Sequence, residues 1–407
     1  MTDAGKDDSH GGVPENEPDE DGVWLTGDDF PPEDVGGRDG LEIRPTEPGN
    51  ARPPGPGIPE SLAWMGGMFA LQLIAGVIAF VAVLVLYLAD SGRNSGISEG
   101  TLKAIQWDYA GTLFGIIQTV TVVGAAIAVC LRLGRERSRL LPLAPIAWRH
   151  LALISAAVLP LVVMSSQLHI GASWVWEQMT ELLPALKAFD ETSSMAYVEN
   201  MARRTSFPGL LFMAAVAPAV WEELVFRGLI GRGLIARRGL PAGILLTSVL
   251  FAAMHVHPPQ VLALVPLAVF IHVAYLATRS FWTPMLLHFV NNAFAVVVLT
   301  ALLELPETAK QLDQSSQMSA VMLGSSVFCV AMLGVSLWKS RMQFVDGHGN
   351  EWSPGYPAVE RPPEDLPLYA RCRPTRLADW APAAFGLGAF ILGAIVHGVL
   401  WQQGWHV

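Results

Sequence analysis

Long apolar runs separated by short polar connections set the plan of this chain. Runs close to the roughly 20 residues that a bilayer crossing needs fall at 64–88, 109–131, 150–168, 207–231, 241–256, 260–278, 283–303, 318–338 and 380–402. They predict an all-α fold, a polytopic membrane helical bundle of about nine transmembrane helices. The connection 170–206 mixes Trp174 and Trp176 with Glu177, Glu181, Asp190 and Glu191, which suits an interfacial helix with aromatic anchors. Basic residues gather at alternate ends of the runs. Arg132, Arg135, Arg137, Arg139 and Arg149 follow the second run, Arg232, Arg237 and Arg238 the fourth, and Lys339 and Arg341 the eighth. Short basic loops stay in the cytoplasm. The pattern therefore predicts a multi-pass protein of a plasma or inner membrane, with a cytoplasmic N-terminus and, for nine spans, an outside C-terminus.

Composition sharpens this picture. The 407 residues are 52% hydrophobic and 15% charged, against about 25% charged in soluble domains. The net charge of −10 is uneven: residues 1–60 hold sixteen Asp or Glu against four Lys or Arg, a local −12 that leaves about +2 for the rest. That segment, rich also in Gly and Pro, has too little apolar surface to order itself, and predicts a disordered acidic tail. It lacks the basic start and apolar core of a signal peptide. The expected organisation is a tail at 1–60, N-terminal transmembrane helices at 61–206, a transmembrane core at 207–303, and C-terminal transmembrane helices at 304–407 with a Pro-rich cytoplasmic segment at 342–379. Cys130, Cys329 and Cys372 are far apart, so neither a disulfide framework nor a cysteine zinc site is implied. The partner this composition implies is the bilayer, with no nucleic acid.

Candidate chemistry sits in the fourth run, where Glu222 and Glu223 interrupt apolar sequence and Arg227 follows. An acid placed there costs roughly 2.5–3.5 kcal/mol on insertion scales, so an intramembrane carboxylate is a functional candidate by default. Glu223 and Arg227 are four apart and can pair on one helix face. Glu222 lies about 100° round the helix and is the freer acid. Two more polar insertions follow, each with its ends four residues apart: Phe251 to His255, and His288 to Asn292. His272 and His397 read as structural histidines, and His257 beside Pro258 as a surface one. An acid, two imidazoles and an amide in neighbouring runs suit hydrolysis. A carboxylate can take a proton from water, an imidazole can orient that water, and a second imidazole with an amide can donate to a developing oxyanion. Glu222, His255 and His288 also make up a zinc-type ligand set of one carboxylate and two imidazoles. HExxH is absent, which excludes a thermolysin-type site. A proton relay in a transporter uses the same residue types, but the halves show no inverted repeat.

Glu222-Glu-Leu-Val-Phe-Arg227 fits EExxxR, Phe251 to His255 fits FxxxH, and His288 to Asn292 fits HxxxN. In this order and in successive hydrophobic segments, the three resemble the CPBP family of type II CAAX-protease and bacteriocin-processing (abortive-infection) membrane proteins. Arg227-Gly-Leu after the acids and Arg279-Ser-Phe-Trp-Thr-Pro before His288 resemble the family too. The likeness covers roughly 205–300. It implies that 207–303 is the catalytic core of an intramembrane endopeptidase, with a helical bundle, a water-accessible cavity and a peptide or protein substrate at the membrane. Glu222 would be the general base aided by His255. His288 and Asn292 would stabilise the oxyanion, with Glu223, Arg227 and Phe251 in support. The cofactor expectation is either none or a divalent metal such as zinc, with the metal-free form favoured by the lack of HExxH and cysteine ligands. Prenylated substrates are not implied. The alternatives are a non-enzymatic scaffold or self-immunity protein and, behind it, a proton-coupled transporter. One tension stands: the run boundaries put His255 near the outer end of the fifth span and His288 near the inner end of the seventh, whereas a shared site needs both at the depth of Glu222.

Overall fold

The computed structural model describes residues 55–90, 99–192, 198, 201–305, 307, 317–357 and 359–403; the expected acidic tail lies, up to residue 54, outside them. Among the described residues, eight helices are long and apolar enough to cross a membrane, and one shorter apolar helix joins them. In chain order these nine are α1 Ile58–Asp90, α2 Ala110–Leu133, α3 Trp148–Leu182, α4 Phe207–Arg238, α5 Leu240–Ala253, α6 Pro258–Thr278, α7 Trp282–Glu304, α8 Ala320–Lys339 and α9 Leu377–Gln402. The protein is an integral, multi-pass, almost wholly helical membrane protein.

Burial identifies the centre of the bundle. Over their most apolar stretches α4 and α6 are 56% and 61% enclosed by protein, against 17% for α1 and α7. Two apolar clusters flank that centre. One joins α3, α6, α8 and α9 through residues such as Leu161, Ile271, Leu333 and Phe390. The other joins α1, α2, α4 and α5 through Met68, Val129, Phe226 and Phe251. The polar insertions of α4 thus sit where lipid does not reach, as the cost of exposing a carboxylate to hydrocarbon demands.

α5 resolves the depth problem. Its 14 residues rise about 21 Å, short of the ~30 Å hydrocarbon core. His255 follows that short helix, and the Phe251 ring lies 5.7 Å from the His255 ring and 5.6 Å from that of His288, so both histidines reach one place. His288 is the seventh residue of α7, about one and two-thirds turns in. The third run also differs from expectation: α3 continues helical through Trp174 and Trp176 to Leu182, in place of a separate interfacial helix. Nothing between residues 172 and 182 breaks a helix, and the stop comes just before Pro184, where the preceding residue is pushed out of helical geometry.

The Pro-rich stretch after α8 is more ordered than its composition suggests. Strand β1, Met342–Val345, pairs antiparallel with β2, Tyr369–Cys372, with Met342 opposite Cys372. The chain between them straps across the ends of α4 and α6. Arg232 Nη2 on α4 lies 2.8 Å from Glu360 Oε2, and both side chains are 3% exposed. The Tyr356 hydroxyl donates to the other Glu360 oxygen at 2.6 Å. Burial first, then that carboxylate, pushes the Tyr356 phenol above its ordinary range, so it stays a donor. Arg361 N donates to Arg139 O at 3.1 Å. A buried guanidinium needs a counterion, and Arg232 takes its own from the strap. The chain entering α1 meets the same helix end: a Cβ on Gly233 would collide with the backbone of Pro56, and Arg237 donates to Gly55 O. Glu360→Gln should weaken the strap by about 3 kcal/mol, the low end for stranding a buried charge, because the amide oxygen still accepts from Arg232. The check is limited proteolysis: faster cleavage between β1 and β2, with the helices left intact.

Candidate functional site

Glu223 is the hub. Its Oε1 lies 2.8 Å from Arg227 Nη1, the i,i+4 pair expected on one helix face, and 2.8 Å from His288 Nδ1 on α7. Glu223 and Arg227 have fully buried side chains. Arg227 also donates through Nη2 to the Ala268 carbonyl of α6 at 3.1 Å, and its guanidinium stacks 4.5 Å from the centre of the Phe251 ring. One carboxylate and one guanidinium thus tie α4 to α5, α6 and α7. The local helix is adapted to this: Phe226–Ile230 forms a π turn, a feature common at functional sites, and Arg227 sits within it.

Glu222 has a different setting. Its side chain is 12% exposed against 0% for Glu223, so it is the carboxylate that water can meet. Its Oε2 stands 3.9 Å from His288 Nε2, beyond a direct hydrogen bond. The carboxylate on Nδ1 implies a proton on that nitrogen, which fixes the ring and turns Nε2 toward Glu222. The two glutamates thereby hold opposite edges of one imidazole.

Phe251 contacts three members of the group. Beside Arg227, its ring centre is 5.6 Å from that of His288 and 5.7 Å from that of His255. His255 lies in the turn after α5, half-buried, and no described protein group hydrogen-bonds its Nδ1. The next residue, Val256, holds φ at +61°. A β-branched residue there costs of order 1–3 kcal/mol, and this strained turn directs the His255 ring.

Asn292 is one helical turn beyond His288 on α7. Its Nδ2 donates to the Ala214 carbonyl of α4 at 3.2 Å, while its Oδ1 accepts from Asn291 at 3.2 Å. The sequence explains the first contact: Pro218 has no N–H for the carbonyl four residues before it, which is Ala214. One amide N–H of Asn292 is therefore committed to the helix and one remains.

Among the described residues no three of His, Cys, Asp or Glu converge into a group that could hold a metal ion. Glu222, His255 and His288 are not such a group in this arrangement, although Glu223 on Nδ1 leaves the Nε2 of His288 open. His272, read from the sequence as structural, is buried against Gly231. His257, read from the sequence as a surface residue, is instead buried, 3.9 Å from Asp190.

Sequence reasoning missed two links, Glu223 to His288 and Asn292 to Ala214. The first joins positions 65 apart and leaves no periodic signal; the second was signalled by Pro218. No curated protein and no solved structure matches this chain. Residues 204–294, which contain all seven motif residues, match the family model described as Type II CAAX prenyl endopeptidase Rce1-like, so the resemblance to the CPBP membrane proteases holds over that segment.

Proposed function

We propose that the chain is an intramembrane endopeptidase that hydrolyses peptide bonds of membrane-associated substrates with water activated by Glu222. The observation that carries this is the pairing of Glu222 Oε2 with His288 Nε2 across 3.9 Å, while Glu223 holds the far edge of the same ring at 2.8 Å. A gap of that size suits a water bonded to both groups. Glu222 takes the proton as the water attacks the scissile carbonyl, with His255 helping to hold the water. The proton passes to the leaving amine as the C–N bond breaks. The free amide N–H of Asn292 donates to the developing oxyanion, and His288 joins it through Nε2–H when the ring is doubly protonated, its Nδ1–H staying on Glu223. No step needs a metal. The basic ends of α4 and α8 support a cytoplasmic N-terminus and strap.

The test is cleavage of a fluorogenic peptide library by detergent-purified protein, with and without a zinc chelator. Cleavage that persists with chelator and disappears in His288→Ala supports the reading; cleavage lost to chelator and restored by zinc sinks the metal-free mechanism. Asn292→Ala should lower kcat about a hundredfold, the low end for an oxyanion donor, because only one of its two N–H groups is free. A fall confined to KM would remove Asn292 from the oxyanion role.

A further inference from the structure

A second site lies on the far side of α6 from the glutamates. Helices α5 and α8 both pack on α6 and leave a trough between them of roughly 790 Å³. Its walls are apolar: Pro241 and Ile244 from α5, Pro266 and Phe270 from α6, Val327 and Val335 from α8. Gly334 keeps it open, for a Cβ there would meet only the Phe270 ring, at 3.9 Å. At one end the trough meets a second cavity of roughly 480 Å³, and Leu240 and Trp338 line both.

That second cavity sets a few charged side chains among apolar ones and is lined by helix-end residues and by the strap. Arg279 caps α6 in left-handed geometry, φ +48°, and Arg341 follows α8, its guanidinium 5.3 Å from the Trp338 ring centre. Both lean on one carboxylate: Glu351 is 2.8 Å from Arg341 and 3.9 Å from Arg279, and also accepts from Gln343 at 2.7 Å. Trp352 lines the cup beside them. Lys339, at the lip of the trough, is answered by Asp379 at 3.2 Å. Two guanidiniums against one carboxylate leave the cup one positive charge in excess.

We propose that trough and cup together bind one anionic glycerophospholipid, its acyl chains along α5, α6 and α8 and its phosphate between Arg279 and Arg341. A phosphodiester carries one negative charge, which matches the excess. The trough is in the membrane-spanning part of the bundle, so hydrocarbon is its natural occupant. Trp338 and Trp352 mark the headgroup level, where indoles concentrate. The cup shares its end of the bundle with Arg232, Arg237 and Arg238, the end assigned to the cytoplasm, and the inner leaflet is where anionic lipid is richest. The proposal rests on that orientation and not on the protease reading. A bound lipid would brace α5 and α6, whose other faces carry Phe251 and Ala268 of the glutamate site.

The experiment is native mass spectrometry of delipidated full-length protein in detergent. It is titrated separately with dioctanoyl phosphatidylglycerol, dioctanoyl phosphatidylcholine and glycerol 3-phosphate. The anionic lipid should bind about fivefold more tightly than the zwitterionic one, the worth of one basic group at an anionic surface. Glycerol 3-phosphate should not be retained. Arg341→Gln should abolish the preference while keeping chain-driven binding. Gly334→Phe, which fills the trough and leaves the cup intact, should lower the affinity for both lipids. An unfolding midpoint for each variant confirms that the bundle persists. Equal binding of the two lipids overturns the proposal. So does retention of glycerol 3-phosphate as strong as that of the lipid, which would mark a phosphate site without a chain. Binding unchanged by Gly334→Phe overturns it as well.

Discussion

Glu222→Gln should abolish peptide cleavage while leaving the bundle folded. The amide keeps the size and shape of the carboxylate but cannot accept a proton from water, so kcat should fall about a thousandfold or more, within the range for a lost general base. The fold should hardly notice. Glu222 lies 3.9 Å from its nearest ionisable partner, beyond a direct hydrogen bond, and Gln fills the same volume with no charge to bury, so stability should change by about 1 kcal/mol or less. Cleavage rates and unfolding midpoints, measured on one preparation, give the check. A scaffold that retains Glu222 for structure predicts the reverse, a shifted midpoint or no effect. Cleavage that survives the substitution would remove Glu222 from the chemistry.

The parts of this site that could be read in the sequence were those with a local signature. Glu223 and Arg227 are one turn apart, and so are His288 and Asn292; helical spacing alone puts each pair on one face. The apolar surroundings marked them, because a charge in a membrane helix has to be explained. Partners joined across helices were not legible. Glu223 reaches His288 only because α7 packs against α4, and a pattern with a period of 3.6 residues says nothing about that. The Pro218 signal was there in principle: a proline inside a buried helix leaves a carbonyl that something must satisfy, and Asn292 does so. Fold-level differences have similar causes. The hydrophobic run over 241–256 looked like a span because apolar residues continue past Ala253, but the helix ends there and the turn at Val256 carries His255 inward. Glu360 gave no signal, since one acid in a Pro-rich polar stretch resembles a solvated face until Arg232 is seen to bury it.

The stability of the glutamate site should depend on Glu223 more than on Arg227. Both are fully buried, but their networks are unequal. Glu223 answers two cationic or N–H partners with one oxygen, whereas Arg227 retains the Ala268 carbonyl and the Phe251 ring if its carboxylate is lost. Glu223→Ala leaves a guanidinium buried without a counterion, and breaking a buried pair in that way costs about 3–5 kcal/mol. Arg227→Ala leaves Glu223 its bond to His288, so the loss should be smaller despite the larger side chain removed. In the double variant no charge is stranded. Its destabilisation should fall short of the sum of the single effects by about 2 kcal/mol, within the range for contacting residues. Unfolding of the four proteins in mixed micelles closes the cycle. The same variants separate structure from chemistry. Glu223→Gln should hold the fold better than Glu223→Ala yet still lower kcat, because a neutral amide no longer fixes the Nδ1 proton of His288 and the ring is free to turn Nε2 away from Glu222. Additive single effects would mean that Arg227 and Glu223 are each held by the bundle independently, and the hub assigned to Glu223 would be wrong.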